Sequence, residues 1–187
     1  VSASDWMQTA THDLEGYLFP DTYRFLKGVS VGEIISRMRE EMEEKITPEM
    51  EAEMERQGRS LHDTLTMASL IEREVRHDED RELVSDVFWK RFAIGMPLQA
   101  DSTVNYVTGK KTPSISYEDR EINSPYNTYR YRGLPPGPIA APGLASIEAA
   151  IYPRSNPYYF FLTDTEGNAH YAKTLDEHNM NKAQYLR

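Results

Sequence analysis

The part of the sequence best suited to acid–base chemistry is residues 66–75, a largely apolar stretch that contains Glu72 and Glu74. Successive residues of an α-helix turn by about 100°, which places Glu74 on the apolar face and points Glu72 away from it. That face is formed by Met67, Leu70 and Ile71. A carboxyl group on an apolar face is costly to ionise, so its pKa rises and it can keep a proton near neutral pH, as a general acid must. Taken alone, the helix favours a simpler interpretation, in which a glutamate at its boundary pairs with a nearby arginine.

A second group of polar side chains lies at residues 98–103, where Gln99, Asp101 and Thr103 follow Pro97. Their amide, carboxylate and hydroxyl groups are suited to binding a polar ligand. The alternative is the start of a helix that is capped by Asp101 or Ser102.

A third group, at residues 124–129, interleaves tyrosines with amide and hydroxyl side chains. Tyrosine rings can stack on the faces of sugar rings, while amides and hydroxyls bond to sugar hydroxyl and acetamide groups. The four residues concerned are Tyr126, Asn127, Thr128 and Tyr129. The alternative is a tyrosine-rich edge strand that packs on the core. Residues 133–138 form a further rigid Pro/Gly-rich turn, which by itself is consistent with a connector or a polyproline II ligand.

The elements that must position these groups follow from helix caps, hydrophobic periodicity and turn residues. Helices are predicted at 31–45, at 48–56, from Ser60 or Asp63 to Val75, between the polar break 77–80 and Gly95, at 146–152 and at 175–186. Residues 99–107 and 117–122 are predicted to be partly helical, and 158–162 with 169–173 to form a β-hairpin. Residues 1–28 are expected to be irregular or extended and packed on the core.

Residues 123–143 carry five prolines, three glycines and three tyrosines, which predicts a long ordered loop. The fold class is therefore α+β and helix-rich, with a small β-hairpin sheet.

Composition narrows the possible functions. The 187 residues suffice for one sizeable core, and the net charge of −9 argues against a nucleic-acid partner. There is no cysteine, and the five histidines show no metal-ligand spacing such as HExxH, so neither thiol nor metal chemistry is indicated. No apolar run approaches the roughly 20 residues that span a bilayer. The chain begins with Val1 and not with methionine, so we expect a fragment of a longer protein.

Many short motifs, spread in order over nearly the whole chain, resemble the YceG-like (MltG) family of endolytic transglycosylases. They are residues 14–23 (LEGYLFPDTY), 68–74 (ASLIERE), 91–92 (RF), 95–99 (GMPLQ), Asp101, 103–104 (TV), 126–129 (YNTY), 133–139 (GLPPGPI), 142–143 (PG), 159–161 (YFF) and 178–179 (HN). The number and order of these motifs make the resemblance specific.

The resemblance implies a bacterial enzyme that cuts the glycan strands of peptidoglycan internally and leaves 1,6-anhydro-N-acetylmuramoyl (anhydroMurNAc) ends. In that family one glutamate acts as acid and then as base, in a helix-rich, lysozyme-like catalytic domain. By its position in the motif, Glu74 is expected to have this catalytic role, and Glu72 is the second candidate. Related lytic transglycosylases place a small polar residue after this glutamate, and Val75 departs from that pattern.

The resemblance also implies which residues bind the substrate, which cofactors are needed and which partners the protein has. The expected substrate-binding residues are Gln99, Asp101, Thr103, Tyr126, Asn127, Thr128, Tyr129 and Pro136. No cofactor and no metal is implied. The expected partners are peptidoglycan strands and peptidoglycan synthases, with no nucleic acid.

Residues 1–187 are expected to form one catalytic domain that acts outside the cytoplasm. An N-terminal transmembrane anchor and a LysM-like subdomain, which the family carries, are expected outside this fragment, so the membrane is reached only through that anchor. Two other functions stay open at this point: a non-catalytic peptidoglycan-binding module and a conventional muramidase with two carboxylates.

Overall fold

The computed structural model describes residues 14–110 and 114–186. Within them the order of elements is α1 (Val31–Lys45), α2 (Pro48–Arg56), α3 (Leu61–Glu74), α4 (Asp78–Ala93), α5 (Asp101–Thr108), α6 (Tyr117–Arg120), α7 (Leu144–Ile151), β1 (Phe160–Thr163), β2 (Ala169–Ala172) and α8 (Leu175–Tyr185). The two strands pair antiparallel, with Phe160 opposite Ala172 and Thr163 opposite Ala169. The prediction of a helix-rich α+β chain with a small sheet is confirmed. Residues 1–13, part of the predicted N-terminal segment, lie outside the described residues.

The helices begin where their caps predict. Ser30 and Ser60 each accept a hydrogen bond from the backbone three residues on and form capping boxes, and Thr174 caps α8. One start differs from the prediction, because α4 begins at Asp78, inside the expected polar break. Its first turn is acidic, and negative charge at a helix N-terminus is stabilised by the helix dipole, so the break is itself the first turn.

The core is built around α3, whose residues 64–71 are all buried. This helix packs against α2, α4, α5 and α7, so it is covered on every side along that stretch. Each fully buried aliphatic side chain contributes roughly 1.5–3 kcal/mol of transfer free energy, which makes α3 the stable centre of the chain. The apolar face inferred from the sequence is therefore one part of a helix that is buried all round. Outside this buried stretch, α3 approaches solvent at its first turn, residues 61–63, and at its last turn, from Glu72 onward.

Residues 121–143 contain neither helix nor strand, and their last part, residues 136–143, runs alongside α3 in the same direction. Three hydrogen bonds hold this segment to the helix. They join His62 Nε2 to Pro136 O (2.8 Å), Ile139 N to Ser69 Oγ (3.0 Å) and Gly143 N to Glu72 Oε2 (3.1 Å). None of the helices in the described part of the chain combines the length and the apolar character that a bilayer span requires.

Candidate active site

Glu74 is the last residue of α3, at the point where the helix leaves the core. Its carboxylate Oε1 accepts hydrogen bonds from Ser102 Oγ (2.6 Å) and from Ser102 N (3.3 Å) at the start of α5. Its backbone carbonyl accepts a bond from Thr163 Oγ1 (3.0 Å) of β1. The side chain keeps some solvent exposure although protein surrounds the carboxyl group. Glu74 is thus held in place by two other elements while remaining accessible.

The electrostatic environment raises the pKa of Glu74 above its ordinary value. Burial is the main cause, because it disfavours the charged carboxylate, and the negative charge of Asp101 adds to it. The two hydrogen bonds from Ser102 and the charge of Arg73 act in the opposite direction. The carboxyl group can therefore hold a proton at a higher pH than a free glutamate, and Ser102 can still stabilise it once the proton has left.

Asp101 and Tyr129 form a hydrogen-bonded pair next to Glu74. The Tyr129 hydroxyl donates to Asp101 Oδ1. Burial and the charge of Asp101 both raise the pKa of Tyr129, so it stays a neutral donor. The alternative interpretation of this segment is confirmed as to the helix start, since α5 begins at Asp101. A cap by Asp101 or Ser102 is wrong, because the N-cap is Ala100 and no side-chain hydrogen bond caps the helix. Asp101 and Ser102 turn instead toward Tyr129 and Glu74.

Gln99 lies just before this pair in an unusual backbone conformation. Its φ is +54°, the only positive φ of a non-glycine residue among those the structure describes. The conformation is held by Thr128, whose carbonyl accepts from Gln99 N (3.1 Å) and whose hydroxyl accepts from Ala100 N (3.0 Å). Strained backbone of this kind is concentrated at functional sites, and the Gln99 side chain is exposed.

Three of the residues expected to bind substrate are buried instead. Thr103 and Thr128 are almost fully covered, and their hydroxyl groups lie 2.9 Å apart, joining α5 to the segment that follows α6. Asn127 is fully buried; its amide donates to the carbonyls of Arg120 and Ile122 (2.8 Å each), and its oxygen accepts from Tyr129 N (3.1 Å). Their polar groups are satisfied by the protein itself. In this arrangement they shape the segment that carries Tyr129 and present their polar groups to the protein interior.

Two other expected contacts lie further away along the molecule. The Pro136 carbonyl bonds to His62 in the first turn of α3. At a rise of about 1.5 Å per residue, His62 is roughly 18 Å from Glu74 along the helix. The Tyr126 ring packs on Tyr106, one turn further along α5 than Ser102, with ring centroids 5.0 Å apart. Of the eight expected substrate-binding residues, the structure gathers Asp101 and Tyr129 beside Glu74, with Gln99 adjacent in sequence.

The runner-up glutamate, Glu72, is occupied by structural contacts. Its Oε2 accepts from Gly143 N (3.1 Å), Ser146 Oγ (2.7 Å) and Arg81 Nη1 (3.3 Å). The first two lie at the N-terminus of α7, where a carboxylate is favoured by unpaired backbone N–H groups and the helix dipole. The simpler interpretation, a boundary glutamate paired with an arginine, therefore describes Glu72.

Sequence reasoning missed the role of Arg91. Its side chain is 5% exposed, and its guanidinium donates to Tyr159 O (2.7 Å) and Leu98 O (2.6 Å) while lying 5.0 Å from the centre of the Phe160 ring. Burial lowers the pKa of Arg91 to about 10, so it remains charged. Arg91 thereby links Leu98, shortly before α5, to Tyr159, directly before β1. This link helps to position Ser102 of α5 and Thr163 of β1, which both bond to Glu74. Only its place in the RF motif marked it in the sequence.

His178 was also left out of the expected site, although it stands in the HN motif. Its ring stacks against the ring of Phe160 in β1, with 5.4 Å between the two ring centroids. Burial, Lys182 and Arg91 lower its pKa to about 4, so it is neutral near pH 7. In the described ranges, no three acidic or histidine side chains are grouped closely enough to ligate a metal ion.

Comparison with known proteins gives the relationships of the chain. The model of the YceG-like family matches residues 2–184. A protein of Bacillus subtilis (strain 168) named endolytic murein transglycosylase is 44% identical over 176 residues, which is 94% of this chain and 49% of the relative. A protein of the same name from Streptococcus pneumoniae serotype 2 is 35% identical over 183 residues, covering 95% and 33% of the two chains.

A solved structure agrees with these sequence relatives. The 2.6 Å crystal structure of a yceG-like protein from Listeria monocytogenes superimposes with a TM-score of 0.84 at 44% identity, covering 92% of this chain and 57% of that one. The chain spans about half the length of the B. subtilis relative and a third of the S. pneumoniae one. Because the family model covers nearly all of its residues, the chain belongs to the YceG-like family.

Proposed function

We propose that this chain is the catalytic part of an endolytic murein transglycosylase in which Glu74 is the acid and the base. The observation that carries the proposal is Glu74, a partly exposed residue whose carboxyl group is held by Ser102 and raised in pKa by burial. Membership of the YceG-like family and the names of the relatives from B. subtilis and S. pneumoniae support the choice of peptidoglycan as substrate.

In the first step, protonated Glu74 donates its proton to the oxygen that links N-acetylmuramic acid to N-acetylglucosamine. The bond from that oxygen to C1 of the muramic residue breaks, and N-acetylglucosamine leaves with a hydroxyl group. The muramic ring gains oxocarbenium character, which its own acetamide can stabilise. General acid assistance of this kind contributes about 10²–10⁴-fold to the rate.

In the second step, the Glu74 carboxylate takes the proton of the muramic 6-hydroxyl group, and the oxygen of that group bonds to C1. The product is a 1,6-anhydro sugar, the glutamate is protonated again, and no water is consumed. One carboxyl group suffices because the nucleophile belongs to the substrate and is already close to C1. Ser102 supports this step, since its hydrogen bonds stabilise the carboxylate that forms in between.

The neighbours of Glu74 supply the walls of the site. Asp101 raises the pKa of Glu74, and Tyr129 holds Asp101 in its orientation. Gln99, exposed and fixed by Thr128, is the remaining candidate for a sugar contact. We propose further that the chain forms one catalytic domain of lysozyme-like type and works outside the cytoplasm, where peptidoglycan lies.

Two other functions make different products. A two-carboxylate muramidase would use Asp101 as its second carboxylate, an option worth testing because Asp101 lies near enough to influence Glu74. It would add water and leave reducing ends. A non-catalytic binding module would release nothing.

The test is digestion of purified peptidoglycan sacculi, with mass spectrometry of the released fragments. We expect anhydroMurNAc ends from the wild type and none from Glu74→Gln, while Glu148→Gln, an exposed glutamate on α7, serves as the matched control and keeps full activity. Anhydro ends from Glu74→Gln would refute the role of Glu74. Reducing ends from the wild type would indicate the muramidase, and no fragments at all the binding module.

Glu72→Gln separates the two glutamates. It weakens the contacts to Gly143, Ser146 and Arg81, so we expect a lower melting temperature with cleavage retained below it. A folded but inactive Glu72→Gln protein, together with an active Glu74→Gln protein, would transfer the catalytic role to Glu72.

A further inference from the structure

An arginine next to the site has hydrogen-bonding capacity that the protein does not use. The Arg120 guanidinium lies between two tyrosine rings, 5.3 Å from the centre of Tyr117 and 4.9 Å from that of Tyr129. Its Nε atom is buried and has no hydrogen-bond partner within the described part of the chain. A buried donor without a partner carries a desolvation cost of about 1–3 kcal/mol, so the protein alone does not satisfy this guanidinium. Tyr117, on the outer side of the stack, is 85% exposed, so the guanidinium lies near solvent.

A second cation approaches the same place from the C-terminal helix. Lys182 follows His178 by four residues in α8, so the two side chains lie on the same face of the helix. His178 stacks on Phe160, the ring over which Arg91 lies, and this contact turns that face toward the site. The pKa of the Lys182 amino group is lowered, chiefly by burial and then by the charges of Arg120 and Arg91, while the charge of Asp101 acts in the opposite direction.

The charges in this corner do not balance. Among the charges that act on Lys182, those of Arg91 and Arg120 are positive and that of Asp101 is negative, and Glu74 adds none while it is protonated. This local positive excess occurs in a chain whose net charge is −9. The Arg91 guanidinium already donates to two carbonyls, whereas Arg120 and Lys182 form no salt bridge with any residue in the described ranges. The free donors therefore belong to Arg120 and Lys182.

We infer that Arg120 and Lys182 form an anion subsite beside Glu74, which binds a carboxylate of the peptide attached to the glycan strand. The inference rests on the proposed function, since it takes peptidoglycan as the substrate. The sugar backbone of the strand carries no free charge where its lactyl groups are joined to peptides, so its anionic groups are the peptide carboxylates. A guanidinium presents paired donors that match a carboxylate, and a lysine adds a mobile charge. The subsite therefore favours strands whose peptide carboxylates reach it over strands that offer no carboxylate.

The test measures binding apart from cleavage. In the Glu74→Gln background, titration calorimetry compares the dissociation constants of two synthetic glycan oligomers. One carries peptides, and the other carries none and has its lactyl carboxylates blocked as amides, so that it offers no anionic group. We expect the oligomer with peptides to bind about tenfold more tightly. Lys182→Gln should reduce that ratio by about fivefold, and Lys182→Arg should largely keep it. Lys173→Gln, an exposed lysine that precedes α8, is the matched control and should leave the ratio unchanged.

A companion measurement follows kcat/KM for the two oligomers with Glu74 intact. Equal affinity of the two oligomers, or a ratio that Lys182→Gln and Arg120→Lys leave unchanged, would overturn the subsite. A salt titration adds a further condition, because the preference must weaken as ionic strength rises. If Glu74-containing protein cleaves neither oligomer but the binding ratio still depends on Lys182, the subsite stands and the proposed reaction fails. The two proposals can therefore fail independently.

Discussion

Replacing Ser102 with alanine should move the pH dependence of the reaction to higher pH. Ser102 Oγ donates a 2.6 Å hydrogen bond to the Glu74 carboxylate, and that bond favours the ionised form. Removing it leaves burial, the dominant cause, less opposed, so the pKa of Glu74 rises further. Because the protonated glutamate is the active acid, kcat/KM should persist to a higher pH in the variant.

The size of the shift follows from the strength of the bond. A hydrogen bond to a charged group contributes about 1.5–3 kcal/mol, and about 1.4 kcal/mol corresponds to a tenfold change in proton affinity. Ser102 N still donates at 3.3 Å in the variant, and water can take the place of the lost hydroxyl group. We therefore expect the lower end of the range, a displacement of the alkaline limb by about one pH unit.

The assay is the pH profile of kcat/KM between pH 4 and pH 9, measured from the release of anhydroMurNAc fragments. Ser155→Ala is the matched control, because Ser155 is exposed and lies in the segment between α7 and β1. A limb that stays in place or moves to lower pH in the Ser102→Ala protein would contradict the reasoning. It would mean either that the limb does not report Glu74 or that the hydrogen bond does not favour its ionised form.

Three further predictions concern stability. In thermal scans, Glu74→Gln should melt at a higher temperature than the wild type at pH 8 and at nearly the same temperature at pH 4. Because the pKa of the Glu74 carboxyl group is raised in the folded state, its contribution to stability is complete below about pH 4.5 and is lost as the pH rises through the folded-state pKa. The same difference in melting temperature at both pH values would contradict this reasoning. His178→Phe should lose less stability than the wild type on acidification, in urea titrations at pH 7 and pH 4. The neutral ring contributes fully above about 6.5 and loses its contribution as the pH falls through its pKa of about 4. We expect a difference of roughly 1 kcal/mol, because solvent screens a half-buried ring, and equal acid sensitivity of the two proteins would contradict the lowered pKa. Asn127→Ala should lower the free energy of unfolding by about 2–4 kcal/mol in urea, because it leaves two buried carbonyls and one N–H without their partner; a loss below 0.5 kcal/mol, on the order of an exposed substitution, would show that the amide is not buried as described.

Local sequence signals were sufficient to predict most of the helices of this chain. Serine or threonine caps with an acidic residue three positions on mark the starts of α1, α3 and α8, and these contacts lie within four residues of each other. A proline at the first position and a glycine after the last do the same for α2. Such signals depend only on neighbouring residues, which is why they can be recognised without the fold. The start of α4 was misplaced because a run of acidic residues suits both a polar loop and a first turn.

The site could be predicted only in part. Helical phase separates Glu74 from Glu72, but it does not show that Glu72 binds the N-terminus of α7, some 70 residues later in the chain. The side chains of Asn127, Thr103 and Thr128 are polar, and such side chains can bond either to a sugar or to the protein itself. The sequence does not show which of the two they do. Their burial was decided by which backbone groups the fold places next to them.

The sequence by itself determined the helical framework, the two candidate glutamates and the motifs that relate the chain to its family. The tertiary structure alone decided that the pKa of Glu74 is raised by burial and which polar residues are internal. It also decided that the charges of Arg91, Arg120 and Asp101 act on Lys182. The physical reason is that pKa values and hydrogen-bond partners depend on distances in space. Those distances link α3, α5, α6 and α8, which are far apart in the sequence.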